Sequence, residues 1–114
     1  MNPIQTVEDI KKHLTNWTEF EKNVLIMAFK IPEGKISTYK RIAEKVGKPK
    51  AYRAVANALM KNPLHPVVPC HRVIRSDGSF GGPKERAKTR MKLVEKEGVP
   101  VRNGRVQISG SILF

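Results

Sequence analysis

The stretch "STYKRIAEKVGKPKAYRAVANALMKNP", residues 37–63, decides the fold. Tyr39, Ile42, Ala43 and Val46 fall at i, i+3, i+4 and i+7, the spacing of one apolar helix face. Gly47 stands where that helix would end, and Pro49 stands near the start of another. Ala51, Val55, Ala58 and Leu59 then return to helical spacing. Two short helices joined by a glycine-containing turn in a basic stretch resemble a helix-turn-helix. With Val55 turned inward, Arg53 and Asn57 point outward and Ala54 and Ala56 flank them. A face of small residues around one arginine lets a groove come close to the helix backbone.

Outward from this core the chain stays mainly helical. "TVEDIKKHL" offers Thr6 as a cap with Asp9 three residues on, and Val7, Ile10 and Leu14 on one face. In "TEFEKNVLIMAFKIP", Thr18 and Glu21 fit a capping box, Phe20, Val24, Met27 and Ala28 form the stripe, and Pro32 ends the helix. "GKIS" is a short connector with Ile36 and Ser37 extended. "LHPVVPCHRVI" combines two prolines with β-branched residues and is expected to be extended and partly buried. "RSDGSFGGP" is a glycine-rich loop, and "KERAKTRMKLVEKEG" returns to helix on Ala87, Met91 and Val94, capped at Gly98. In "VPVRNGRVQI", Asn103-Gly104 suits a two-residue type I′ turn between Val101 and Val106. No internal repeat or low-complexity tract is present.

The 114 residues suit a single domain spanning 1–114 with one modest core. Lys and Arg number 22 against 10 Asp and Glu, for a net charge of +12. The excess lies in the middle, about +7 over residues 34–63 and about +5 over 64–92, with the first 33 residues near neutral. Such a distribution fits a polyanionic partner, because each phosphate met by Lys or Arg releases a counterion; a merely solubilising Lys-rich surface is the alternative. One cysteine cannot close an internal disulfide, and "MNPIQTVEDIKKHL" lacks the apolar run of a signal peptide. No run of about 18 apolar residues offers a membrane span. A cytosolic, or at least intracellular, protein is expected. A zinc site drawn from Cys70, His13, His65 and His71 would have none of the usual finger spacings.

Cys70 sits in "VVPCHRVIRSDG" between Pro69 and a His71-Arg72 pair, with Arg75 nearby. A lone cysteine among apolar residues is most often a small buried hydrophobe. Three features speak for reactivity instead: cationic neighbours favour the thiolate, Pro69 stiffens the approach, and Gly78, Gly81 and Gly82 permit a ligand to come close. Adjacent side chains of an extended segment point to opposite faces, so His71 would have to reach the sulfur through a turn or a bridging water, with a third group to hold its tautomer.

The run "PCHRVI", preceded by "RAVANALMKNP" and followed by "SDGSFGG", closely resembles the signature of the methylated-DNA protein-cysteine methyltransferases, also called O6-alkylguanine-DNA alkyltransferases. The likeness covers roughly residues 18 to 99, from "TEFEKNVL" through "IPEGKISTYKRIAEKVG" to "VEKEGV". It implies a mainly α, winged-helix-like three-helix DNA-binding bundle with a helix-turn-helix, a further C-terminal helix and a small β-hairpin. It further implies direct, irreversible and stoichiometric DNA repair after base flipping. Cys70 matches the acceptor of the alkyl group from O6 of guanine, or from O4 of thymine. His71 matches the residue that takes the thiol proton through a water, and Glu97 the carboxylate that orients it. Tyr39 matches a tyrosine that turns the target phosphate and donates a proton to the leaving guanine, and Asn62 the asparagine that holds the active-site turn. Arg53 matches the arginine that enters the stack in place of the flipped base, on a helix laid in the minor groove. Thr38, Lys50, Ala54 and Asn57 join Tyr39 and Arg53 as the DNA-binding set. Pro69, Val73, Ser76, Gly81 and Gly82 match the wall of the base pocket. No metal or organic cofactor is implied, the partner is double-stranded DNA carrying alkylated guanine, and a cytoplasmic or nuclear monomer is expected.

The chain departs from the family pattern in places. Its usual N-terminal domain is expected to be absent, since only about 17 residues precede the shared core. Tyr52 is bulkier than the small residue common beside the arginine, and Pro83 stands where an aromatic is frequent. The short length matches the alkyltransferase-like proteins, which bind alkylated DNA without repairing it and carry tryptophan or alanine in place of the cysteine. The presence of Cys70 favours transfer, with a non-catalytic damage sensor as the alternative and a sequence-specific helix-turn-helix regulator as a third.

Overall fold

A computed structural model describes residues 5–114. α1 (Val7–His13) and α2 (Glu19–Phe29) each begin on a capping box: the Thr6 hydroxyl accepts from the Asp9 N–H and the Thr18 hydroxyl from the Glu21 N–H, while the carboxylates return to the threonine N–H groups. These caps satisfy backbone donors that a helix start leaves without partners. The helix-turn-helix follows as α3 (Tyr39–Lys45) and α4 (Tyr52–Met60). Gly47 between them has φ +81, a left-handed turn that favours glycine. α2, α3 and α4 pack on one another around Val24, Leu25, Ile42, Ala43, Val55 and Leu59, all buried. This is the expected three-helix bundle; the helical spacing selects Val24, Ile42, Ala43, Val55 and Leu59, whereas Leu25 is buried outside the stripe expected for α2, whose Phe20 and Met27 are only partly buried.

The segment around Cys70 differs from the extended expectation. Cys70–Arg72 is a single 3-10 turn, and only Val73–Ile74 is a strand. Prolines at 66 and 69 remove the N–H groups that a longer ladder would need. The neighbouring donors close tight turns instead, the Arg72 N–H onto the Pro69 carbonyl and the Cys70 N–H onto the Val68 carbonyl. β1 (Ser37–Thr38) pairs in parallel with β2 (Val73–Ile74), Ser37 opposite Val73 and Thr38 opposite Ile74. That pairing ties the cysteine turn to the start of α3.

α5 (Lys84–Lys96) carries Val94 inward and Ala87 and Met91 half-buried, with Gly98 just past its end at φ +92. β3 (Val101–Arg102) and β4 (Arg105–Val106) form the antiparallel hairpin, with Asn103 and Gly104 both at positive φ as a type I′ turn requires. Ile36, Ile74, Phe80, Val94, Val99 and Val106 make a second apolar cluster beneath it. The last residues, which the sequence left without an assignment, lie beside β1: Ile36 and Phe114 exchange backbone bonds of 2.8 Å with Ile112 and Ile36 respectively. Among the described residues no helix is long and apolar enough to cross a membrane.

Candidate functional site

The loop leading to Cys70 is clamped by one side chain. Asn62 donates to the Val68 carbonyl at 2.8 Å and accepts from the Leu64 N–H at 2.9 Å, closing the segment between α4 and the 3-10 turn. The turn then sends consecutive side chains apart. His71 is 2% exposed and points into the protein, whereas Cys70 remains partly exposed. His71 Nε2 lies 2.9 Å from Glu97 Oε2 at the end of α5. Arg72 grips the same carboxylate with a two-pronged guanidinium, Nε to Oε1 and Nη2 to Oε2, each at 2.8 Å, and gives Nη1 to the Ile31 carbonyl beyond α2. The Arg72 fork, helped by His71, holds the Glu97 carboxyl below the usual glutamate range against the opposing effect of burial.

A carboxylate accepts hydrogen bonds only, so His71 Nε2 carries the proton of that bond. The other ring nitrogen is also occupied. His71 Nδ1 lies 3.0 Å from Nε2 of His65, with the rings edge to face and their centroids 5.1 Å apart. Burial, and then the neighbouring His71, hold the His65 imidazole below its ordinary pKa.

Cys70 lines a cavity of about 330 Å³ together with Met60, Asn62, His65 and Arg90. A larger cavity of about 490 Å³ lies alongside, walled by Tyr39, Arg53 and Asn57 on one side and Ser76, Gly81 and Gly82 on the other. Met60 belongs to both. Arg90, only 9% exposed, donates to the Gly81 carbonyl at 2.6 Å and to the Met60 sulfur at 3.0 Å, which ties the side chain shared by the two cavities to the loop that lines the larger one. The Tyr39 hydroxyl at the floor of the larger cavity is held above the ordinary phenol range by burial, with the Arg90 and Arg75 charges pulling the other way. Its oxygen lies where a methyl group on Gly81 would be, 2.5 Å from such a carbon. Only a glycine allows the loop to come this close.

The structure therefore gathers Tyr39, Arg53, Asn57, Ser76, Gly81 and Gly82 around one cavity and Cys70 and Asn62 around its neighbour, with His71 and Glu97 behind the thiol. Ala54 and Lys50 are exposed along the same helix and the turn before it. Three expected residues lie elsewhere. Thr38 is 5% exposed, and its hydroxyl accepts from the Arg41 N–H as the cap of α3, so it faces inward. Pro69 and Val73 are buried and line neither cavity, because the turn and the pairing of Val73 with Ser37 draw them into the core. Sequence reasoning passed over Met60, Arg90 and the contact of His65 with His71. Arg90 carried a usable signal, since it falls three residues after Ala87 and four before Val94, on the inward stripe of α5. His65 carried none, because loop spacing does not bring it to His71.

Residues 19–99 match the family described as 6-O-methylguanine DNA methyltransferase, DNA binding domain. The chain is similar to the methylated-DNA–protein-cysteine methyltransferase of Methanothermobacter thermautotrophicus, 44% identical over 82 residues that cover 72% of this chain and 46% of that protein. Among solved structures it is similar to S. pombe Atl1 in complex with damaged DNA containing O6-carboxymethylguanine, at TM-score 0.73 and 31% identity, covering 84% of this chain and 94% of that one. It is also similar to Mycobacterium tuberculosis OGT in complex with DNA, at TM-score 0.66 and 38% identity, covering 70% of this chain and 50% of that one. The chain spans about half the length of the curated relatives it matches.

Proposed function

The chain belongs to the 6-O-methylguanine DNA methyltransferase family through its DNA-binding domain, and we propose that it repairs DNA by transferring the alkyl group of O6-alkylguanine to Cys70, once per molecule. The observation that carries this reading is the partly exposed Cys70 in a cavity, backed by His71, Glu97 and Arg72 and sharing Met60 with a groove that carries Arg53.

A sulfur nucleophile cannot reach an alkyl carbon in line while the base is stacked, so the nucleotide leaves the duplex at a cost of a few kcal/mol. Arg53, exposed on a face of small residues, fills the vacated place and offsets part of that cost. The everted base enters the cavity beside Tyr39 and reaches the sulfur when the Met60 side chain shifts, a motion suited to an unbranched thioether. The S–C bond forms as the C–O6 bond breaks, and the electron pair stays on the guanine oxygen. Tyr39 keeps its proton at neutral pH because burial raises its pKa, and it donates that proton to the leaving guanine. The thioether product is a poor leaving group, so the protein is consumed. Readout of base edges in the minor groove is sparse, which suits a protein that searches for damage in any sequence.

The test is stoichiometry. With a duplex carrying O6-methylguanine in excess, guanine should be restored in an amount equal to the protein and no more. Tight lesion binding with no restored guanine would reject transfer in favour of a damage sensor, the second reading, which the greater overlap with Atl1 supports.

A further inference from the structure

The family resemblance gives His71 the task of taking the thiol proton through a water, yet both nitrogens of His71 are engaged. Nε2 faces the Glu97 carboxylate at 2.9 Å and Nδ1 faces His65 at 3.0 Å. Neutral imidazole has one donor and one acceptor. With the proton of His71 committed to Glu97, its Nδ1 is the acceptor and His65 Nε2–H is the donor. The lone pair that remains free in the pair is then on His65 Nδ1. His71 is 2% exposed, whereas His65, its contact with His71 part-buried, is the more exposed of the two and lines the same cavity as Cys70.

Resting on the alkyl-transfer reading, we propose that His65 is the base that faces the thiol, and that it passes the proton inward to His71. In balance, the Cys70 S–H proton moves through cavity solvent to His65 Nδ1 while His65 Nε2–H moves to His71 Nδ1. His71 becomes the imidazolium, stabilised by the carboxylate that Arg72 fixes, and the sulfur is left as thiolate for attack on the alkyl carbon. The guanine that leaves with the C–O6 electron pair is protonated by Tyr39, and the phenolate recovers a proton from the imidazolium through solvent. Until that return the positive charge rests on the buried His71 ring beside Glu97.

The arrangement explains why two imidazoles are useful. The groups acting on His65 are the His71 ring from the 3-10 turn, Arg90 and Glu97 from α5 and its end, and Arg72. Arg90 and Arg72, and His71 once it carries the proton, disfavour a lasting charge on His65, and only Glu97 favours it. His65 is suited to relay a proton, and His71, against the carboxylate, to hold it.

The chain has one cysteine, so alkylation by iodoacetamide reports on Cys70 alone. We would compare the 114-residue chain with His65→Ala and His65→Gln, measuring iodoacetamide alkylation and single-turnover transfer from an O6-methylguanine duplex between pH 6 and 9. Glutamine can still donate an N–H to His71 but cannot accept and pass a proton, which separates relay from placement. Both variants should lose on the order of 100-fold in transfer at pH 7. The deficit should shrink toward alkaline pH, and added imidazole should restore rate to His65→Ala. Iodoacetamide alkylation should slow with the same pH dependence. Wild-type rates and profile in His65→Gln, or a uniform loss at every pH without imidazole rescue, would overturn the relay. Slowed alkylation by iodoacetamide in the variants, with no DNA transfer even in the parent chain, would uphold the relay and reject the repair reading instead.

Discussion

Glu97 is the residue on which the site's interior depends, because it receives His71 and both prongs of Arg72. Glu97→Gln would oppose an amide N–H to one of these donors and leave a guanidinium only 16% exposed without its counter-charge. We expect a loss of about 2–3 kcal/mol, read from urea unfolding. The sign with pH follows from the depressed pKa: the carboxylate's contribution is complete above the ordinary glutamate value of about 4.3 and disappears as pH falls through the lower folded value. The glutamine variant should lack that part of the acid dependence. A second test concerns Gly81, whose absent side chain leaves room for the Tyr39 hydroxyl. Gly81→Ala should destabilise by about 1–3 kcal/mol through overpacking, and Tyr39→Phe should recover part of that loss in the double variant; additive losses would show that the two do not touch. Residue by residue, sequence gave uneven access to the site. "PCHRVI" pointed at Cys70, and resemblance supplied Asn62 from eight positions before it and Glu97 from 27 positions after it. Nothing in a loop's spacing announces that His65 meets His71, since a tertiary fold brings them together.

At the scale of elements, the capping boxes at Thr6 and Thr18, the glycine turn of the helix-turn-helix and the Asn103-Gly104 hairpin were all legible, because each follows from bonds between residues a few positions apart. The 3-10 turn at Cys70 and the parallel pairing of β1 with β2 were not. β-branched residues there signal burial as much as extension, and two-residue strands whose partners lie 36 positions apart leave no local pattern. α4 presents Arg53, Ala54 and Asn57 outward as the helical wheel requires. Arg53→Ala should therefore reduce lesion binding and flipping more than Lys88→Ala on α5, measured by fluorescence of a base analogue at the lesion. Equal losses with equal salt slopes would make Arg53 only a phosphate contact.

For the whole molecule, the charge of +12 concentrated in the middle of the chain is a long-range attraction to a polyanion, independent of sequence. Affinity for undamaged duplex should fall steeply with salt, and removing one cation of the helix-turn-helix, as in Lys50→Ala, should lessen the log–log slope by about 0.9 if it meets a phosphate. An unchanged slope would place that lysine outside the DNA contact. Charge alone does not choose chemistry; the proposed transfer rests on one sulfur, two imidazoles and a carboxylate between α4 and α5. The most direct measurement is the mass of the peptide containing Cys70 after incubation with a duplex carrying O6-methylguanine. One added methyl group on that peptide, absent with undamaged duplex and absent throughout in Cys70→Ala, is the predicted result. An unmodified Cys70 peptide recovered from protein saturated with the lesion would contradict it.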